Sequence, residues 1–339
     1  MNPTRALLRS ITALNERHGL FEPGGSVLVA YSGGPDSTAL LEALCLLSRR
    51  HRLRIEAAHL DHGWHGGSGR WADACVRRAA SLGVRLHLGR LSRSRPVGSK
   101  MTEADARQAR YAFLVRTARK RRIGIIATGH TADDQAETFL LRLFRGAGPL
   151  GLAGIPAVRA AGAGIRVIRP LLWTDRSAVM SFLRERGVPH LSDPSNKDHD
   201  RLRNRVRHIV LPFLEEQFGT SVKSRLNEAS AACSDAALEL VEAAERARNK
   251  VLSRRGGRVI VKLDAYLACG RAVRMELLMS AWKDLGGEHR GLTRHHLEGL
   301  DRLSSGTGPA ATLQLPGAVA RRSGGRLELL RTRRLSRTP

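Results

Sequence analysis

Val27-Leu28-Val29-Ala30 runs through Tyr31 into Ser32-Gly33-Gly34-Pro35-Asp36-Ser37, and this stretch decides the fold. A short apolar, β-branched run reads as a strand. A Gly-rich turn follows it, and a helix begins near Ser37. Such a turn can aim several backbone N–H groups at one anion, with the positive end of the helix dipole behind them. The glycines permit a positive φ and close approach of the main chain. Asp36 is out of place in a loop that binds only anions, because its charge repels phosphate. It makes sense if Mg²⁺ lies between carboxylate and phosphates. The pattern is not G-x-x-x-x-G-K-[ST], since the required Lys is absent. An ordinary strand–turn–helix link is the plain alternative.

Working outward, apolar runs recur at 26–30, 53–59, 84–88, 123–128 and 165–169. Helical patterns lie between them at about 38–49, 70–82, 102–120 and 132–145. This alternation predicts an α/β domain: a parallel sheet with helices on both faces. Ligands in such sheets bind beyond the carboxyl ends of the strands, where the Gly-rich loop lies. Pro170 closes the last strand, and a short helix is expected over 175–186. The polar stretch 189–200 reads as a loop, and 201–215 as a basic helix. A long helix follows over 221–252, stopped by Gly256-Gly257, then one short strand and two or three helices to 303. Short strands fill 310–331, with turns at Pro316-Gly317 and Gly324-Gly325. The expected division is a catalytic domain over 1–215, a mostly helical domain over 216–305, and a small β-containing C-terminal segment over 306–339 ending in a basic tail.

Composition narrows the function. The chain has 339 residues, 42% of them hydrophobic, so it can bury a sizeable core. Its formal net charge is +26, which points to a polyanionic partner, nucleic acid first. Seven Lys against 50 Arg reflects a GC-rich genome. Such a bias exchanges Lys for Arg but does not readily create the charge itself. Basic clusters at Arg119–Arg122, Arg201–Arg207 and Arg331–Arg337 suit RNA phosphates, or are solvated faces. Cys45, Cys75, Cys233 and Cys269 form no C-x-x-C pair, and no secretory signal opens the chain, so a reducing cytoplasm is expected. No apolar run is long enough to span a membrane.

A second constellation follows the strand at 123–128: Gly129-His130-Thr131-Ala132-Asp133-Asp134-Gln135-Ala136-Glu137-Thr138. Thr131 and Asp134 have the spacing of a capping box. Asp134 and Glu137, three apart, also share a helix face at the sheet edge that carries Asp36. Three carboxylates beside a phosphate loop point to a metal and amine site. His59, His62 and His65 have metal-like spacing, but no Cys or acid completes a zinc set.

Ser32–Ser37 resembles the PP-loop, S-G-G-x-D-S, of ATP pyrophosphatases. With G-H-T-A-D-D-Q-A-E-T it is similar to the bacterial tRNA(Ile)-lysidine synthetase family. Two more blocks agree. Glu103-Ala104-Asp105-Ala106-Arg107-Gln108-Ala109-Arg110-Tyr111 matches E-x-x-A-R-x-x-R-Y. Asp193-Pro194-Ser195-Asn196, Asp198 and Arg203-Asn204-Arg205-Val206-Arg207 match D-x-S-N-x-D-x-x-Y-x-R-N-x-[IVL]-R. The chain departs at Asp61-His62-Gly63-Trp64-His65, where the family has N-H-G, and at Arg201, where it has Tyr. The resemblance implies a Rossmann-like catalytic domain and a C–N-bond-forming ligase. ATP would adenylate C2 of the wobble cytidine in the CAU anticodon of tRNA(Ile). Free L-lysine then attacks, lysidine forms, and AMP and pyrophosphate are released. On that reading Ser32, Gly33, Gly34, Pro35, Asp36, Ser37, His62, Arg110 and Gly129 contact ATP, and Asp36 and Asp134 hold Mg²⁺. Glu137 takes the lysine ammonium, while His130 and Arg205 act at the adenylate and phosphates. Arg201, Arg203 and Arg207 contact tRNA. A homodimer is one open arrangement. Competing readings are a tRNA 2-thiolating enzyme, which needs cysteines that this chain does not place together, and a non-catalytic tRNA-binding protein.

Overall fold

The computed structural model describes residues 2–61, 68–91, 103–191, 202–287, 291–306 and 310–332. The chain divides into two compact units, Met1–Ala232 and Cys233–Pro339.

The first unit opens with α1 (Pro3–His18), β1 (Ser26–Ala30), α2 (Pro35–His51), β2 (Arg54–Asp61), α3 (Ser68–Ser81) and β3 (Arg85–Arg90). It continues through α4 (Glu103–Arg121), β4 (Ile125–Ala127), α5 (Ala132–Leu143), α6 (Pro149–Leu152), β5 (Val158–Ala160), β6 (Arg166–Ile168) and α7 (Arg176–Glu185). Then come α8 (Leu202–Arg205), a π turn (Val206–Val210) and α9 (Leu211–Phe218). The sheet order is β3-β2-β1-β4-β6-β5. All its pairings are parallel except β5 with β6. Alternation along β1 feeds two cores. Val27 and Val29 pack with Ala39, Leu40, Leu44 and Leu47 of α2. Leu28 packs with Ile126, Val167, and Phe113 and Leu114 of α4. Strands buried on both faces have no polar side to display, which is why these runs read as continuous apolar sequence.

Chain order reverses between β1 and β4. Their carboxyl ends are therefore the switch point, where connections leave in opposite directions and open a crevice. The Gly-rich loop leaves β1 there, and the loop of Gly129–Thr131 leaves β4 beside it.

α10 (Val222–Val251) carries the chain into the second unit. There β7 (Leu252–Arg255), β8 (Arg258–Lys262), α11 (Leu263–Leu267), α12 (Arg271–Asp284), α13 (Arg294–Ser305), β9 (Ala311–Leu315), β10 (Ala318–Ser323) and β11 (Arg326–Arg331) follow. One antiparallel sheet, ordered β7-β8-β11-β10-β9, joins the strands at 252–262 to those at 311–331. Val259, Val261, Leu327 and Leu329 meet Leu277, Leu278 and Trp282 of α12 and Leu300 of α13. The Tyr266 hydroxyl, with its ring fully buried, donates to Asp301 Oδ1 at 2.7 Å, and Arg274 pairs with the same carboxylate.

Several local features differ from the sequence reading. α1 was not expected; its Leu7, Ile11 and Leu14 are buried at helical spacing against the first core. Gly256-Gly257 do not stop the long helix, which ends at Val251; both take positive φ in the hairpin between β7 and β8. The basic helix over 201–215 is interrupted by a π turn after Arg205. β5 adds an antiparallel edge strand, too short and too exposed to read as one.

Candidate active site

The loop after β1 is held from both sides. Gly33 has φ +83°, and a Cβ there would come within 2.8 Å of Cys75 Sγ and Leu191 Cδ1. Trp71 Nε1 donates to Ser32 O at 2.8 Å, and the Leu191 N–H donates to Gly33 O at 2.9 Å. Within the loop, the Ser32 N–H donates to Ser37 Oγ at 3.2 Å, and that hydroxyl donates to Gly34 O at 3.0 Å. Pro35 occupies the first turn of α2, while Gly34, the N-cap, supplies no side-chain bond. The first-turn N–H groups at 36 and 37 therefore have no side-chain oxygen at the cap to satisfy them. Gly129 fits against this turn. A Cβ there would lie 3.0 Å from Asp36 C and O and 3.1 Å from Ser37 N.

α5 begins differently. Thr131 caps it, and the capping box is complete: Asp134 Oδ2 accepts from the Thr131 N–H at 3.0 Å. The other oxygen of Asp134 faces two guanidinium groups, Arg203 Nη2 at 2.9 Å and Arg207 Nη2 at 3.3 Å. Glu137, fully buried, accepts from Arg203 Nε at 2.8 Å and from Arg207 Nε at 2.5 Å. Spacing of four along the basic helix puts Arg203 and Arg207 on one face, and spacing of three does the same for Asp134 and Glu137. Both arginines, expected at RNA, are thus tied to the two carboxylates, and Arg205, expected at the phosphates, is exposed on the same segment. Burial opposes ionisation of Asp134, but Arg203, the Thr131 N–H and Arg207 together hold its carboxyl below the ordinary value.

Asp36 is the least satisfied carboxylate in the cluster. Its Oδ1 is buried without a hydrogen-bond partner, and its Oδ2 lies 3.5 Å from Arg176 Nη1. Burial pushes its pKa up to about 6; Arg176 pulls the other way, and Asp134 adds to the rise. The backbone N–H of Arg176 donates to Asp133 Oδ2 at 2.7 Å, and Lys223 reaches Asp133 Oδ1 at 3.4 Å. Burial also holds His130 neutral, with a pKa of about 3; Asp134 opposes this, and Arg169, Arg107 and Arg203 reinforce it. Its Nδ1 is 2.9 Å from Thr128 Oγ1.

The structure therefore brings Asp36, Asp134 and Glu137 to one sheet edge with Ser32, Gly33, Gly34, Pro35, Ser37, Gly129 and His130. Arg110 is half-buried on α4 and engaged within the fold. His62, Arg201 and the Asp193–Asp198 block lie outside the described residues. Arg176, Asp133 and Lys223 escaped the sequence reading. Arg176 opens an ordinary helix after β6, and only the adjacency of β6 to β4 shows its place.

Comparison with known proteins identifies the family to which this fold belongs. A family model described as the PP-loop domain matches residues 4–214, and one described as the TilS substrate binding domain matches 262–328. A tRNA(Ile)-lysidine synthase of Salinispora tropica is 37% identical over 328 residues, 95% of each chain. One of Streptomyces coelicolor is 38% identical over 303 residues, 89% of this chain and 84% of that protein. One of Geobacter sulfurreducens is 35% identical, over 94% of this chain and 68% of its own. Among solved structures, the U34-tRNA thiolase NcsA of Methanococcus maripaludis superposes with a TM-score of 0.58. It shares 15% identity, over 68% of this chain and 78% of that one, and so shares the fold. With its loops, carboxylates and both domain matches in place, the chain belongs to the PP-loop family of tRNA(Ile)-lysidine synthases.

Proposed function

We propose that the chain makes lysidine at the wobble cytidine of a CAU-anticodon tRNA(Ile), using ATP and free L-lysine. The observation that carries this is the pairing of two unlike helix starts at one crevice: an uncapped anion loop with Asp36, and a carboxylate pair on α5 already engaged with cations. In the first half-reaction, cytidine O2 attacks Pα of ATP, the Pα–O–Pβ bond breaks, and pyrophosphate leaves. In the second, the lysine ε-amine attacks C2, the C2–O bond breaks, AMP leaves, and the amine gives up its proton. The net bond formed is carbon–nitrogen, which makes the enzyme a ligase.

The residues divide this work. The loop N–H groups with Ser32 and Ser37 cradle the phosphates. Asp36, with a buried oxygen lacking a partner, fits a divalent cation, and Asp134 lies in its electrostatic field. Mg²⁺ is commonly held by one or two carboxylates together with substrate phosphates. Bound there by Asp36 and Asp134, it would neutralise phosphate charge. Glu137 already draws two guanidinium groups, so its carboxylate is suited to a cation, and we assign it the lysine ammonium. His130, kept neutral, is a weak base; it offers the adenylate a hydrogen bond rather than a charge. Two of the four cysteines speak against sulfur transfer: burial pushes the Cys45 thiol up to about 11 and Cys75 to about 12, far from the reactive thiolate. No helix among the described residues is long and apolar enough to cross a membrane. We place the reaction in the cytoplasm, with tRNA.

The test is incorporation of radiolabelled lysine into a tRNA(Ile) transcript with a CAU anticodon, in the presence of ATP and Mg²⁺. A transcript with the wobble cytidine replaced is the control. Label in the first alone is the expected result. Label in neither, with tRNA-dependent AMP release, would point to a different base modification.

A further inference from the structure

Between α4 and the edge strand β5 lies an open surface groove of about 740 Å³, lined by Tyr111, Arg116, Arg119 and Arg159 among others. Some arginines are matched by acids: Arg121, at the end of α4, with Glu56, and Arg203 and Arg207, at the catalytic edge, with Glu137. Arg159, which lines the groove, and Arg107, one residue before its lining begins on α4, both lie over the Tyr111 ring, 5.1 and 5.7 Å from its centroid. Arg169, 2% exposed, approaches the same tyrosine, and its buried Nε lacks a hydrogen-bond partner. Arg107, Arg116, Arg119 and Arg159 are all exposed. Among the described residues no carboxylate pairs with any of them. Cation–π contacts hold the guanidinium groups in place without cancelling their charge. Burial lowers the Arg169 pKa, and repulsion from Arg159 and Arg107 lowers it further. An anion in the groove would relieve that repulsion.

The position of the groove indicates which anion. In a strand–helix–strand unit the helix N-terminus lies at the carboxyl edge of the sheet, so α4 starts at the catalytic edge and runs away from it. Arg107, on its first turns, is close enough to perturb His130. Arg119, on its last turn, is twelve residues on, about 18 Å at 1.5 Å per residue. A line of unpaired cations that starts beside the catalytic carboxylates and leads away matches a polymeric anion anchored at the site. It does not match a free nucleotide.

We infer that the groove between α4 and β5 is a phosphodiester track, in which Arg116, Arg119 and Arg159, with Arg107 beside Tyr111 at its near end, hold the RNA backbone leading away from the base under modification. This rests on the reading of the chain as an RNA-modifying enzyme. Such contacts position the substrate without reading its sequence.

The test uses the full chain with Arg116→Ala, Arg119→Ala and Arg159→Ala combined, and a second variant carrying Lys at the same three positions. Binding of a tRNA(Ile) transcript is titrated across a salt series, and ATP binding is measured without RNA. Three lost phosphate contacts should lower the slope of log affinity against log salt by about 2 to 3, and weaken binding by roughly tenfold or more at moderate salt. The Lys variant should recover most of the affinity, and ATP binding should match that of the unmodified protein in both. An alanine variant with the unmodified slope and affinity would overturn the track. So would a Lys variant as weak as the alanine one, since phosphate attraction needs the charge rather than the guanidinium. Failure of the unmodified protein to bind tRNA would instead sink the enzymatic reading beneath it.

Discussion

Two helices begin at the same crevice and treat their first turns in opposite ways. α2 starts at Gly34 with no side-chain cap and a proline in its first turn. α5 starts at Thr131 with a complete capping box. Both place a carboxylate in the first turn, where the dipole favours it. Asp134 spends one oxygen on its own backbone and shows the other to Arg203 and Arg207. Asp36 has a buried oxygen with no partner at all. A helix start that satisfies itself is a stable platform for presenting charge to cations. One left unsatisfied is a place where a ligand completes the structure. Identical local grammar therefore serves two ends, and the difference lies in what the cap residue can bond.

The largest effect should come from abolishing the unsatisfied side. Asp36→Asn is expected to cut lysidine formation by at least about a hundredfold, while tRNA affinity in a filter-binding assay stays unchanged. The same variant should be more stable. An Asp whose folded pKa is raised to about 6, above its unfolded value of 3.8, costs stability above the folded value; the cost disappears as pH falls from about 6 towards 4. At pH 7.5 the gain should be on the order of 2 kcal/mol, seen as a higher melting temperature that merges with that of the unmodified protein near pH 4. A destabilised Asp36→Asn protein would break the contrast between the two helix starts.

Next in size is the satisfied side. Glu137→Gln removes a fully buried partner of two guanidinium groups and should cost about 3 kcal/mol in denaturant unfolding. In the folded fraction, the KM for lysine should rise about tenfold or more, while tRNA-dependent ATP–pyrophosphate exchange persists. An unaltered lysine KM would reassign the ammonium site.

Gly129→Ala sharpens the comparison from between the two helices. Its Cβ would press on backbone atoms of Asp36 and Ser37, which cannot rotate away as a side chain can. About 1–3 kcal/mol of stability should be lost, with ATP affinity falling and lysine KM unchanged. The smallest effect belongs to Thr131→Ala, about 1 kcal/mol of stability from the lost cap, read by thermal melting. The box also positions Asp134, so the variant's tRNA-dependent ATP–pyrophosphate exchange should fall modestly.

Much of this was legible without coordinates, for identifiable reasons. Ser32–Ser37 and Gly129–Thr138 carry chemistry in short windows, where residue type and spacing set local backbone and helix face. The strands at 26–30 and 123–128 are buried on both sides, so hydrophobicity alone marks them. The weaker readings all involve partners distant in the chain. α1 is an unremarkable amphipathic segment until its Leu7, Ile11 and Leu14 find the sheet's first core. The glycines at 256 and 257 signal a turn, but only the register of β7 with β8 makes that turn a hairpin. Arg203, Arg205 and Arg207 look alike in sequence, and only packing separates the two that meet Glu137 from the one left exposed.

Local order therefore settled that this chain has an anion loop, an acidic helix start and a basic helix, because each depends on residues within a turn or two. Sheet order decided that they are one site. By reversing the direction of winding between β1 and β4, it brings residues 36, 134, 176 and 207 to a single edge. No spacing along the chain encodes that adjacency; it follows from which strands pair once both faces of the sheet are buried.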